Sequence, residues 1–412
     1  MRRIFGNLGW LLGGRGINAA FSLVYLALAT RSLGLEDFGR FSLIVVLAQG
    51  ISGLAGFSTW QAIVRWGGLT GEAQATSGFA IALDAVSMAL GLSVAAVAAW
   101  SAPLWLPLPP DLRWTAFALC AAALLALRST PTGILRRHDR YDLATAAEAL
   151  LPATRALGAV AAAIVMPDIT GFVCAWAVAE LACASAHWWF ALRLEPVSLS
   201  AISLRALPAR HRGVWQFVTA TNLSRTLAVG MKQGVQLLVG MWGGAALAGG
   251  FRVATQLGQA LVQLGEAVSR ALYPELVRQQ DQAGWMVGRI ALLALATGLL
   301  ATGLAALGGE TALRILAGPE FAFAASAMVV LAMGGALELM AASWDALLVA
   351  RGAAGRVFVL RAVPAGCALA LLPAAIDRWG LVGATVCLAS ASGVTALLLW
   401  LAARSIARKG LA

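Results

Sequence analysis

Charge is scarce in this chain of 412 residues: 12% of its side chains are Asp, Glu, Lys or Arg, about half the share of an ordinary soluble domain. Histidine and tyrosine number three each, and cysteine five. Cys120, Cys174, Cys183, Cys367 and Cys387 form no CxxC pair and have no histidine at a spacing suited to a metal, so they read as small buried hydrophobes. His138, His187 and His211 fall near predicted span ends, where no catalytic or metal role is expected. There is no nucleophile and base set, no glycine-rich phosphate loop and no basic, aromatic-interleaved surface. An ATP-driven pump, a metal or cofactor enzyme and a nucleic-acid binder are therefore not expected.

What the chain has in excess is apolar length. Hydrophobic residues make up 60% of it and the mean hydropathy is +0.81. Runs of roughly 20 apolar residues, each able to cross a hydrocarbon layer about 30 Å thick, recur from end to end. They predict an all-α polytopic membrane protein with about twelve spans, near 8–30, 41–63, 76–100, 113–135, 143–166, 169–192, 214–240, 245–272, 285–307, 322–349, 355–376 and 379–403. The first span carries Arg15 and Asn18 and no small-residue cleavage site follows it, so it is expected to be retained. Alternate connections hold about 18 basic residues against about 5 in the opposite set. By the positive-inside rule both termini are expected in the cytoplasm, and the net charge of +11 is largely this bias.

The chain also repeats. At an offset of 210, Arg15 falls on Arg225, Gly34 on Gly244, Gly39 on Gly249, Phe41 on Phe251, Leu47 on Leu257 and Gln49 on Gln259. At 212, Pro152 falls on Pro364 and Gly171 on Gly383. Two halves of six spans, each entering from the same side, make a parallel repeat. The expected division is residues 1–194, a linker at 195–212, and residues 213–412. Pro152 and Pro364 remove a backbone donor in mid-span, which makes them candidate hinges. GxxxG at Gly9/Gly13 and Gly230/Gly234 suits close helix packing.

Ionisable side chains at membrane depth are costly and mark pathways by default. The deep bases are Arg15, Arg128, Arg155, Arg225, Lys232 and Arg252, and the deep acids are Asp84, Glu148, Glu180, Glu266, Glu338 and Asp345. Numbers balance, so position decides. Glu148 and Arg155 share a helix face but are seven residues apart, about 10 Å, too far to pair directly. Arg225 and Lys232 have the same separation and also share a face.

The stretch ATRSLGLEDFGRFSLIVVLAQ, residues 29–49, resembles the first-loop signature of polysaccharide-export flippases of the MOP superfamily, which also holds MATE drug exporters and the lipid II flippase. TALRILAGPEFAFAASAMVVLAMG, residues 311–334, is similar to that family's segment between spans 9 and 10. The resemblance implies two six-helix bundles around a central cavity, open in turn to each side, and cationic where the cargo is a lipid-linked saccharide. It places Arg15, Arg225, Lys232 and Arg252 on cavity-lining helices.

The expected cargo is an undecaprenyl-pyrophosphate-linked oligosaccharide, carried to the periplasmic leaflet of a bacterial inner membrane without a cofactor. Arg15, Arg225 and Arg252, helped by Lys232, are expected to hold the pyrophosphate. Asn18, Gln49, Gln233, Gln236, Gln256 and Gln259 would offer hydrogen bonds to sugar. Asp84, Glu148 and Glu180 are candidates for coupling a proton. Expected partners are the lipid-linked oligosaccharide, membrane lipid and other polysaccharide assembly proteins. The competing expectation is a MATE-type cation antiporter, whose cavity would be acidic and aromatic.

Overall fold

In the computed structural model the backbone is described for residues 2–277, 283–351 and 353–409. Side chains are described for residues 20–260 and 288–405, apart from Ser224, Leu227, Ala228, Ala346, Ala350, Gly352 and Ala354. Arg15, Asn18 and Glu266 lie outside the described side chains. The elements are α1 (Arg2–Ala55), α2 (Thr59–Trp66), α3 (Ala73–Trp105), α4 (Arg113–Leu125), α5 (Ser129–Arg137), α6 (Tyr141–Val165) and α7 (Ile169–Leu194). They continue with α8 (Ala206–Arg210), α9 (Val214–Val277), α10 (Ala283–Leu316), α11 (Ala325–Ala350) and α12 (Ala354–Lys409), and no strand occurs among the described residues.

Nine helices among the described residues are long and apolar enough to cross a membrane. Three of them are interrupted by one glycine in left-handed backbone, Gly34 (φ 70°), Gly244 (φ 80°) and Gly380 (φ 56°). A Cβ there would crowd the following carbonyl, so glycine alone makes the break cheaply. Gly34 and Gly244 are one of the pairs at offset 210, and Gly171 and Gly383 behave alike as well. A Cβ on Gly171 would lie 2.1 Å from the Met166 carbonyl oxygen, and one on Gly383 would lie 2.1 Å from that of Ala375. Matched positions thus carry matched backbone constraints.

Two predicted spans are not continuous. The run 41–63 breaks between Ala55 and Thr59, and 113–135 breaks between Leu125 and Ser129. By contrast, α6 runs through Pro152, and Pro364 also lies inside a helix.

The chain forms two compact units, residues 14–237 and residues 1–13 with 238–412. The first part of α9 therefore belongs to the unit that holds α2 to α8. Its Val214 and Val218 join Trp66, Phe79, Leu83 and Leu207 in one buried cluster. A second cluster packs Tyr25 and Phe41 of α1 edge-to-face with Trp176 of α7, with ring centroids 5.1 and 5.9 Å apart. The stretch 195–212 is docked on this unit. Buried Glu195 accepts a hydrogen bond from Ser77 Oγ at 2.9 Å and pairs with Arg137. A Cβ on Gly78 would meet the Ala201 carbonyl oxygen at 2.0 Å, so the docking needs glycine at that point of α3.

In the other unit α10, α11 and α12 pack through small residues. A Cβ on Gly298 would meet Ala336 Cβ at 2.4 Å, a backbone approach typical of membrane helices. Leu348, Val357, Ala396 and Leu399 form its buried core near the end of α11.

Candidate functional site

The two helix breaks of the first unit lie side by side, and the second caps the first. Breaking a helix frees peptide groups that must find partners at membrane depth. Trp60 N–H, at the start of α2, donates to Ser129 Oγ of α5 at 3.1 Å. The Gly56 carbonyl, just past α1, accepts from Arg225 Nη1 of α9 at 3.4 Å. Between the breaks opens a cavity of about 600 Å³, lined entirely by residues of this unit, including Ser58, Ala126, Leu127 and Ser129 from the breaks themselves.

Five basic side chains, Arg128, Arg136, Arg155, Arg225 and Lys232, line this cavity with one acidic one, Glu180. Arg128 occupies the residue just before α5, where the break turns its side chain into the cavity rather than along a helix face. Arg136 lies over Trp60, 4.4 Å from the ring centroid, and Arg155 over Trp176 at 3.7 Å. These stacks hold the guanidinium planes without neutralising them. Glu180 of α7 bridges two arginines, accepting from Arg128 Nη1 at 3.0 Å and from Arg155 Nη2. The Nε of Arg155 is buried without a hydrogen-bond partner.

Of the residues expected to bind substrate, Gln49, Arg225, Lys232 and Gln233 come together on this wall. Gln233 Nε2 donates to Gln49 Oε1 at 3.4 Å, and Gln236 is buried, donating to Ser42 Oγ at 3.5 Å. Arg252, Gln256 and Gln259 belong to the other unit. Gln259 lines a separate cavity of about 290 Å³ with Thr255 and Glu338, and Gln256 Oε1 is buried without a partner. There Arg361 pairs with both Glu338 and Asp345, the latter at 2.9 Å.

The candidate coupling acids separate. Asp84 is buried on α3, its carboxylate accepting from Thr130 Oγ1 at 2.6 Å and Thr59 Oγ1 at 3.4 Å. Glu148 stands 3.7 Å from Arg128 Nε, and Arg155 pairs with Glu180 on α7. Arg136, assigned by sequence to a connection, is a lining residue, because α5 extends through Arg137. The helix breaks gave no apolar signal, and with them went the placement of Arg128 and Ser129. Contrary to the sequence reading, one cysteine does have a histidine at a spacing that suits a metal. Glu148, Cys183 and His187 offer ligand atoms within 4.8 Å of one another, the last two one turn apart on α7. Arg128 already supplies the cation for that carboxylate, and the Cys183 thiol donates to the Ala147 carbonyl at 3.3 Å, so the group reads as part of the ion-pair network.

Comparison with known proteins agrees with this architecture. The inner membrane protein YghQ of Escherichia coli (strain K12) is 29% identical over 317 residues, covering 74% of this chain and 87% of that protein. The lipid II flippase MurJ in an inward closed conformation superposes with a TM-score of 0.69 at 10% identity, covering 94% of this chain and 86% of that one. An inward-facing multidrug resistance MATE transporter superposes with a TM-score of 0.65 at 15% identity, covering 93% and 94%. At such identities the superpositions speak for the fold alone, that of a multi-pass helical membrane protein. A family model described as polysaccharide biosynthesis protein matches residues 28–301, more than half the sequence. The chain belongs to that family.

Proposed function

We propose that this protein moves a polyprenyl-pyrophosphate-linked oligosaccharide from the cytoplasmic to the periplasmic leaflet by alternating access, with both termini in the cytoplasm. The observation that carries this reading is the excess of bases on the cavity wall, five against one. A diphosphate cannot enter a low-dielectric layer unless its charge is met. Guanidinium groups meet it with paired donors and keep their own charge when partly desolvated. Arg225 and Lys232 are one pair of contacts, Arg128 and Arg155 another, and Gln49 and Gln233 face the same space with amides that can exchange their mutual hydrogen bond for sugar hydroxyls. A diphosphate with its first sugars matches a cavity of about 600 Å³. The MATE-type reading, with a cationic cargo, fits this wall poorly, because a cation would face an excess of bases over acids.

The test is reconstitution. In proteoliposomes carrying a fluorescent polyprenyl-pyrophosphate oligosaccharide, Arg225→Ala combined with Lys232→Ala should slow translocation at least about ten-fold, as the loss of one or two charge-assisted hydrogen bonds implies. An unchanged rate in a well-folded double variant would remove the anionic cargo from consideration. Faster ethidium transport in the same variant would point to a cation instead.

A further inference from the structure

Glu180 is out of place on a wall built for an anion, since its removal would only make that wall more cationic. Its geometry gives the reason. One carboxylate oxygen accepts from Arg128 Nη1 at 3.0 Å and the other from Arg155 Nη2. Two guanidiniums on two oxygens of one anionic group is also how they would hold a phosphate. Both arginines have support that does not depend on Glu180. Arg155 lies on the face of Trp176, 3.7 Å from its centroid, and Arg128 has Glu148 at 3.7 Å on its Nε side. When Glu180 withdraws, the guanidiniums therefore stay in place with donors turned to the cavity.

We propose that Glu180 is an internal counter-anion that occupies the phosphate position on Arg128 and Arg155 and is displaced by the incoming pyrophosphate. The inference rests on the anionic cargo proposed above. Without cargo, two neighbouring guanidiniums would repel each other at low dielectric, and Glu180 removes that repulsion. With cargo, one anion replaces another, so binding proceeds by exchange. On release, Glu180 returns to its arginines and competes against rebinding. A wall of bases alone would bind a diphosphate tightly and let go slowly; a resident competitor lowers affinity in favour of turnover.

Binding of inorganic pyrophosphate to the purified full chain in detergent, by titration calorimetry at fixed pH and ionic strength, tests this. Glu180→Gln should tighten binding about ten-fold or more, a gain of about 1.4 kcal/mol, while translocation slows because release does. Adding Arg155→Ala to Glu180→Gln should cancel the gain. If wild type binds and Glu180→Gln binds no tighter, Glu180 is a structural counter-ion and this inference alone falls. If neither binds, the anionic cargo falls with it. Should Glu180→Gln fail to fold, Glu180→Asp decides, because its shorter reach weakens the bridge: tighter binding supports the exchange and unchanged binding overturns it.

Discussion

Asp84 shows what a deep carboxylate requires. It lies on α3 with two threonine hydroxyls on its oxygens, Thr130 at 2.6 Å and Thr59 at 3.4 Å, and the two hydroxyls are 3.2 Å from each other. Thr130→Val keeps the shape and removes the shorter bond, leaving a buried acceptor short of a donor. It should cost about 1–3 kcal/mol, measured as a lower midpoint in thermal unfolding of the detergent-solubilised protein, whereas Thr154→Val, whose hydroxyl only bonds back to its own helix, should change little. At this scale the sequence marks the deep charges and leaves their partners open. Arg128, Arg155 and Glu180 are all visible as deep charges. That they form one bridge depends on α5, α6 and α7 meeting, which separations of 25 and 52 residues do not encode.

Helical elements were legible wherever hydropathy sets them and illegible wherever backbone chemistry does. Most apolar runs coincide with long helices, because burying about twenty apolar side chains in lipid favours helix throughout the run, although α10 continues to Leu316, nine residues past the predicted end at 307. The breaks at Ala55–Thr59 and Leu125–Ser129 sit inside those runs, and no hydropathy window detects them. Gly34 and Gly244 stand out in the sequence as a matched pair, but only coordinates reveal the shared left-handed turn. Gly34→Ala and Gly244→Ala should each lose about 1–2 kcal/mol, and by similar amounts if the halves are true repeats. Gly230 is different. It is helical, and a methyl there would meet only Leu54 Cδ2 at 3.9 Å, so Gly230→Ala should gain about 0.5–1 kcal/mol. Unfolding midpoints of the three variants side by side would show whether the contrast holds.

For the whole molecule, the two units differ in charge. The first unit gathers five bases around one acid, while the ion cluster of the second sets Arg361 against Glu338 and Asp345. The second unit also carries an apolar groove of about 580 Å³ on α12, lined by Val363, Cys367, Leu371 and Val394, with Arg378 and Trp379 at one end. Its exposed apolar side chains are those of a lipid-facing surface, where Trp and Arg mark the interface. A spin label on Cys367 should collide freely with dissolved oxygen and hardly at all with a water-soluble nickel chelate. The reverse pattern would mean that the groove faces water.

The contact between the two helix breaks has a mechanical consequence. Because Trp60 N–H donates to Ser129 Oγ and the Thr59 and Thr130 hydroxyls lie 3.2 Å apart, moving one break without the other would break these hydrogen bonds. The segments that flank them are latched together, and Arg128 is mounted on the latch. A rearrangement of the first unit that keeps this latch closed would move Arg128 together with the starts of α2 and α5.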